Sequence, residues 1–198
     1  MAHEINNMEN NRPPFARIIE EELIDYRIRS RFSHPDFVKS LGLSGTERVL
    51  EFGSGGGCLS SALVRSLIPE GSLSCVEISP YWVEKARRRL KSFTNIKYLI
   101  GDITRMIIPE NHFDVVIIHF VLHDIEPAAR IDVVSALAKC LRPEGILFIS
   151  EPAKPEHGMP LSEIRALMRD TGLREIHTGC TRSWLRKWIC YGKFKKSW

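Results

Sequence analysis

Apolar and polar positions alternate along this chain in blocks whose period changes. From Phe15 the apolar residues Ile18, Ile19, Leu23 and Tyr26 recur at three- and four-residue intervals, which is the spacing of one helical face. Ser33 as a cap with Pro35 in the first turn predicts a second short helix towards Leu41, and Gly42 and Gly45 then break the chain. Short apolar runs predict strands over residues 49–52, 73–77, 96–100 and 146–150. The most apolar stretch, residues 113–122, has the continuous hydrophobicity of a strand covered on both faces. Helical spacing returns between the runs: over 59–68, from Ser79-Pro80 through Trp82, Val83, Ala86 and Leu90, over 131–141 and over 163–171. Pro69-Glu70-Gly71 and Pro143-Glu144-Gly145 read as turns, and the last 25 residues as two strands.

Strands alternating with helices imply an α/β fold, a mostly parallel sheet wrapped on both sides with right-handed crossovers. The chain divides into an N-terminal tail and helical extension, residues 1–41, and one domain, residues 42–198. With 43% hydrophobic and 26% charged residues, neither wholesale disorder nor a fibrous architecture fits. No apolar run approaches the roughly 18 residues needed to span a bilayer, and residues 1–11 are polar and Asn-rich, unlike a secretory signal. The cysteines at 58, 75, 140, 180 and 190 form no C-x-x-C pair. That pattern predicts neither a disulfide framework nor a metal site, and a reduced, cytoplasmic chain without integral membrane association.

Charge changes the picture at one end only. The net charge is +4, but residues 174–198 hold seven basic residues against Glu175 alone, so the remainder of the chain is mildly acidic. A basic end with interleaved aromatics, Trp184, Trp188, Tyr191, Phe194 and Trp198, suits either an anionic partner or a solvated edge strand kept soluble by lysines.

The candidate chemistry lies in the first strand-to-helix turn, Glu51-Phe52-Gly53-Ser54-Gly55-Gly56-Gly57. Glycines there let backbone approach a ligand closely, at the strand ends where open α/β sheets bind ligands. Glu77 closes the next strand 20 residues after Gly57, placed to accept from two ribose hydroxyls, and Gly101-Asp102 closes the third. Each carboxylate has a plain structural alternative, as a turn cap or a surface residue. A nicotinamide dinucleotide is the competing ligand, but its G-x-G-x-x-G/A fingerprint would put a small residue where Cys58 stands.

The ordered segments VLEFGSGGG, CVEIS, LIGDIT, FDVVIIHFVLHDI and LRPEGILFISEP resemble the class I S-adenosylmethionine-dependent methyltransferases, from about Val49 to the C-terminus. The flavour is that of the small ubiquinone- and menaquinone-biosynthesis type. The resemblance implies a Rossmann-like, doubly wound, seven-stranded, mostly parallel sheet with an antiparallel last strand. It implies S-adenosyl-L-methionine as cofactor and S-adenosyl-L-homocysteine as product. By that resemblance Gly53 and Gly55, with Ser54 in the same loop, would hold the methionine part and Glu51 would place its ammonium group. Glu77 would bind the ribose hydroxyls, Ile78 would pack on the adenine, and Asp102 with the backbone of Ile103 would read its edge. His119 would sit beside the methionine. The N-terminal helices of such enzymes close over the substrate, which makes residues 13–41 a candidate lid.

Leu122-His123-Asp124 resembles the tripeptide that carries the catalytic histidine of small-molecule O-methyltransferases, so His123 is a candidate general base; a structural histidine closing the fourth strand is the alternative. On a strand, His119 and His123 would stand about 13 Å apart, too far for a metal pair. The Asn/Asp-Pro-Pro-Tyr/Phe motif of many DNA and protein amine methyltransferases is absent after the fourth strand. The expected substrate is therefore a small molecule and not DNA. An RNA or protein substrate at the basic end, or a catalytically silent cofactor-binding subunit, are the alternatives.

Overall fold

The chain leaves its apolar runs as strands and its amphipathic stretches as helices in the computed structural model, which describes residues 30–153, 158–182 and 188–197. The expected helix over residues 15–26, and with it most of the candidate lid, lies outside the described residues. Helix α1 is Ser30–Leu41, so Pro35 lies inside it, and Ser33 is not its cap. Pro35 lacks the N–H that would close one rung of this helix, while Val38 and Leu41 are buried. Strand β1 is Arg48–Phe52, followed by α2, Cys58–Ser66, β2, Ser72–Glu77, α3, Pro80–Arg89, and β3, Ile96–Ile100. Then come β4, Phe113–His119, α4, Pro127–Cys140, β5, Leu141–Pro152, α5, Leu161–Asp170, β6, Leu173–Arg182, and β7, Trp188–Lys196.

The strands form one seven-stranded sheet in the order β3-β2-β1-β4-β5-β7-β6. Strand β2 is parallel to β3, and β4 is parallel to both β1 and β5. Strand β7 alone is reversed, antiparallel to both β5 and β6. This is the doubly wound α/β class with an antiparallel last strand. One expectation changes: the basic segment is not an edge, because β7 lies between β5 and β6. The Pro143-Glu144-Gly145 turn is instead a bulge within β5. Phe113 faces Leu141 but Val115 faces Ile146, and Glu144 takes up the slack at φ 67°.

The described residues group into two compact units. One holds those up to Glu47 and Gly53–Asp102; the other holds Arg48–Phe52 and those from Ile103 onward. In the first, α1 packs on α2, and Leu63, Leu73, Val83, Ala86 and Leu90 make the core. In the second, Leu50, Ile117, Ile118, Leu137, Leu147 and Ile149 are almost wholly buried. Burying each such side chain contributes about 1.5–3 kcal/mol.

Asp114 ties the parallel strands of the second unit together. Its Oδ2 accepts from the Arg48 amide (2.7 Å) and Nε (3.2 Å), and its Oδ1 from Arg142 Nε (2.5 Å). Partial burial raises the Asp114 pKa, but the hydrogen bonds from Arg48 and Arg142 outweigh that and bring it down to about 2 from 3.8. Because the folded value lies below the unfolded one, this stabilisation is present above pH 3.8 and is lost as pH falls towards 2. After solvent screening it amounts to about 1–2 kcal/mol. Asp114→Asn is expected to lower unfolding stability by that amount at pH 6, with the gap from wild type closing by pH 2; equal gaps at both pH values in urea titrations would count against it.

The cysteines depart from expectation. Cys180 and Cys190 face each other across β6 and β7 and are disulfide-bonded, while Cys58, Cys75 and Cys140 are buried thiols. Nine intervening positions without a motif give no sign of this in the sequence; the strand register creates it. Cysteine spacing therefore ceases to argue for a reducing compartment. Among the described residues no helix is long and apolar enough to cross a membrane.

Candidate functional site

The glycine-rich turn is built by backbone. Leaving β1, the Gly53 and Ser54 amides both bond the Val76 carbonyl on β2, at 2.8 and 3.2 Å, and the Gly57 amide returns to the Ser54 carbonyl at 3.0 Å. Gly57 has φ +81°, and a Cβ there would meet Ala86 Cβ at 3.0 Å and Leu90 Cδ1 at 3.3 Å, so glycine allows α2 to seat against α3. Gly57→Ala is expected to cost about 1–3 kcal/mol through the strained φ and the crowding, seen as a lowered Tm; an unchanged Tm would show that the loop relaxes freely.

Glu77, at the carboxyl end of β2 and buried, is held from two sides. Its Oε2 accepts from the Gly55 amide and its Oε1 from the Ser79 amide, both at 2.9 Å. A carboxylate has about four acceptor positions, so two remain after the protein has fixed its orientation. Beside it, the Ser54 hydroxyl is buried with no hydrogen-bond partner among the described residues. Leaving such a hydroxyl unsatisfied costs about 1–3 kcal/mol, which fits a loop that meets a polar ligand. Gly57, the cap of α2, offers no side-chain bond to the helix amides, and these suit an anionic group such as an amino-acid carboxylate. Arg89 braces the loop from behind, its Nη1 donating to the Gly56 carbonyl at 2.5 Å and lying 3.0 Å from Cys58 Sγ.

Beyond Glu77, Ile78 turns an apolar side chain to solvent at 63% exposure. The Gly101 amide bonds the Glu77 carbonyl at 3.1 Å, which draws Asp102 to the end of β2. Six expected residues, Gly53, Ser54, Gly55, Glu77, Ile78 and Asp102, thus belong to one unit. These residues fit a nucleoside carrying an amino-acid arm. The others belong to the second unit: Glu51 and Ile103 are buried there, and His119 ends β4 half-buried.

His123 does not lie on a strand. The chain leaves β4 at Phe120, which has φ 57° and bonds the Ser150 carbonyl (2.9 Å), and enters a 3-10 turn at Leu122–Asp124. The strand-based separation of His119 and His123 therefore does not apply. The residue that sequence reasoning passed over is Glu151, near the end of β5 and wholly buried. Its Oε1 accepts from the Val121 amide at 3.0 Å and the Leu122 amide at 2.8 Å, and its Oε2 is 2.7 Å from His123 Nδ1. The available signal was a carboxylate directly after the apolar run ILFIS. Arg130, also buried, bonds the Ile125 carbonyl (2.9 Å), the His123 carbonyl (3.3 Å) and Glu163 (2.5 Å), and so anchors the turn to α4 and α5.

Four of the described basic residues at the C-terminal end have partners within the fold. Lys196 is buried, its Nζ donating to Asn111 Oδ1 (2.9 Å) and the Leu141 carbonyl (2.8 Å). Lys195 pairs with Glu144, Lys193 lies over the Phe148 ring at 5.3 Å, and Arg182 lies over Trp188 at 5.7 Å. Trp184 and Trp198 lie outside the described residues.

The family model "Methyltransferase domain" matches residues 49–145. The ubiquinone/menaquinone biosynthesis C-methyltransferase UbiE of Shewanella halifaxensis (strain HAW-EB4) is 24% identical over 135 residues, 67% of this chain and 51% of that protein. The chain thus spans about half the length of the curated relatives it matches. Among solved structures, a SAM-dependent methyltransferase from Aquifex aeolicus shares the fold at a TM-score of 0.73 and 20% identity, covering 88% of this chain and 96% of that one. The N-methyltransferase NodS of Bradyrhizobium japonicum WM9, in complex with S-adenosyl-L-homocysteine, gives a TM-score of 0.73 at 18% identity, covering 96% and 97%.

Proposed function

We propose that this chain, which is similar over residues 49–145 to a methyltransferase domain family and, over about two thirds of its length, to the methyltransferases of ubiquinone and menaquinone biosynthesis, is a class I S-adenosylmethionine-dependent methyltransferase that transfers the cofactor's methyl group to a small-molecule acceptor. The observation that carries the reading is Glu77. Its carboxylate is fixed by two backbone amides, with acceptor capacity left for two ribose hydroxyls, and in the same loop the buried Ser54 hydroxyl has no partner among the described residues. When bound, S-adenosylmethionine supplies a methyl group on a sulfonium, already activated towards a nucleophile.

The chain's own contribution is then placement. Gly53, Ser54 and Gly55 would hold the amino-acid arm, and the amides opening α2 would suit its carboxylate. Glu77 would fix the ribose, and Ile78 and Asp102 would take the adenine. Holding the acceptor in line with the methyl group contributes about 7–11 kcal/mol of barrier reduction. Where the acceptor is a hydroxyl or an acidic carbon, His123 takes its proton through Nε2.

The partners found for Lys193, Lys195 and Lys196 weigh against reading the basic end as an RNA- or protein-binding surface. The deciding experiment incubates the protein and a cell extract with cofactor labelled at the methyl group, followed by mass spectrometry. A labelled metabolite supports the proposal. Label confined to RNA or protein, or cofactor binding without any labelled product, would sink it.

A further inference from the structure

Strands β6 and β7 carry a group that methyl transfer does not use, the Cys180–Cys190 disulfide. Its two halves differ in surroundings: Cys180 is exposed on the edge strand β6, whereas Cys190 on the inner strand β7 is buried. Cys180 faces Cys190 and Cys190 faces Glu151, so the three residues form one row across β6, β7 and β5. Directly opposed residues of antiparallel strands share a face of the sheet. We infer that Cys180–Cys190 is a reversible thiol–disulfide exchange site for a dithiol reductant, and that its redox state sets how firmly the Glu151 end of β5 is held. The inference goes beyond the proposed reaction and does not rest on it.

Exposure decides the course of the exchange. A thiolate of the reductant attacks Cys180 Sγ, the bond between the two Sγ atoms breaks, and its electron pair leaves on Cys190 Sγ. The second thiol of the reductant then attacks its own sulfur in the mixed disulfide and releases the Cys180 thiolate. Each released thiolate takes up one proton. The dithiol has then passed two electrons and two protons to the protein and become a disulfide itself. Burial shields Cys190 from direct attack, and the three free thiols, Cys58, Cys75 and Cys140, are buried as well. Cys180 therefore presents the accessible sulfur of this chain.

The sheet does not need this bond in order to form. Pairing of β6 with β7 runs from Leu173 opposite Lys196 to Arg182 opposite Trp188, and the loop that the bond closes is short, so the chain entropy at stake is small. What the bond governs is the open end of the hairpin. Beyond it only Thr181–Ile189 and Arg182–Trp188 still pair, and strand ends open first. Once reduced, the two sulfurs can no longer keep bonding distance, and Cys180 on its exposed strand moves away. The start of β7 is then tied to β5 alone, through the Glu151–Cys190 and Pro152–Ile189 pairs and the Ala153 amide on the Trp188 carbonyl (2.9 Å). Loosening there reaches the strand that carries Glu151, whose Oε1 holds the Val121 and Leu122 amides. Those two amides report on a bond at the far side of β7.

The test oxidises the full chain with oxidised glutathione and then treats half of it with dithiothreitol in native buffer. Alkylation before mass spectrometry reads the free thiols, and circular dichroism checks the fold. Amide hydrogen exchange by NMR follows Val121 and Leu122, with the Gly55 and Ser79 amides, held by Glu77 in the other unit, as control. The expected result is reduction of Cys180–Cys190 with the sheet intact. Exchange at Val121 and Leu122 should then speed up roughly fivefold or more, with the control amides unchanged. Cys180→Ser should exchange like the reduced chain and ignore dithiothreitol. Failure to form the bond under oxidation, or its opening only in denaturant, overturns the inference. So does loss of the sheet on reduction, unchanged exchange at Val121 and Leu122, or equal acceleration of the control amides. The oxidised and reduced wild type decide the matter even where Cys180→Ser fails to fold.

Discussion

Replacing Glu77 with alanine is expected to weaken S-adenosylhomocysteine binding by about 2–4 kcal/mol, the loss of two charge-assisted hydrogen bonds to the ribose. The same carboxylate also receives the Gly55 and Ser79 amides, so the alanine variant loosens the loop as well as losing the ligand bonds. Glu77→Gln separates the two effects. Its amide oxygen can keep one backbone N–H while its NH2 group repels the other, and binding should fall between wild type and alanine. Titration calorimetry with S-adenosylhomocysteine reads both variants, and circular dichroism checks that the sheet survives. Affinity within twofold of wild type in Glu77→Ala would take Glu77 out of the site.

His123→Ala is the second large effect. Removing a positioned general base costs about 10²–10⁴-fold in rate, while the cofactor loop belongs to residues the substitution does not touch. Methyl transfer to the product found by isotope labelling should therefore collapse, with S-adenosylhomocysteine affinity preserved. Preserved turnover would identify an acceptor already deprotonated, such as a neutral amine, and would return His123 to a structural role. The substitution also leaves Glu151 without its imidazole, a buried carboxylate still bonded to two amides. A modest fall in Tm is expected alongside the kinetic loss and does not by itself explain it.

The two variants probe features that were legible in the sequence to very different degrees. The loop from Gly53 to Gly57 and the carboxylate of Glu77 could be read directly, because a turn that needs left-handed backbone selects glycine locally and the next strand end follows at a fixed span. His123 was visible as a candidate, but its environment was not. Glu151 is 28 residues away and meets it only because β5 lies beside β4 in register.

The same division runs through the whole chain. Residues 49–52, 73–77 and 96–100 became strands within a residue of where their apolar runs placed them; for the first two, burial on both faces of a parallel strand is a local demand on composition, while the edge strand β3 is only half-buried. Sequence alone also determined the α/β class and the reversed last strand that the family resemblance implied. Tertiary structure decided what depends on register and strand order. It put β7 between β5 and β6, turned the basic run from a solvated edge into buried and paired lysines, and joined Cys180 to Cys190. It converted the turn at Pro143 into a bulge and gave Asp114 two arginines from different strands. Periodicity reports which face of an element is buried; it carries no information about which distant residue will lie opposite, and the carboxylates of Asp114 and Glu151 owe their partners to that choice.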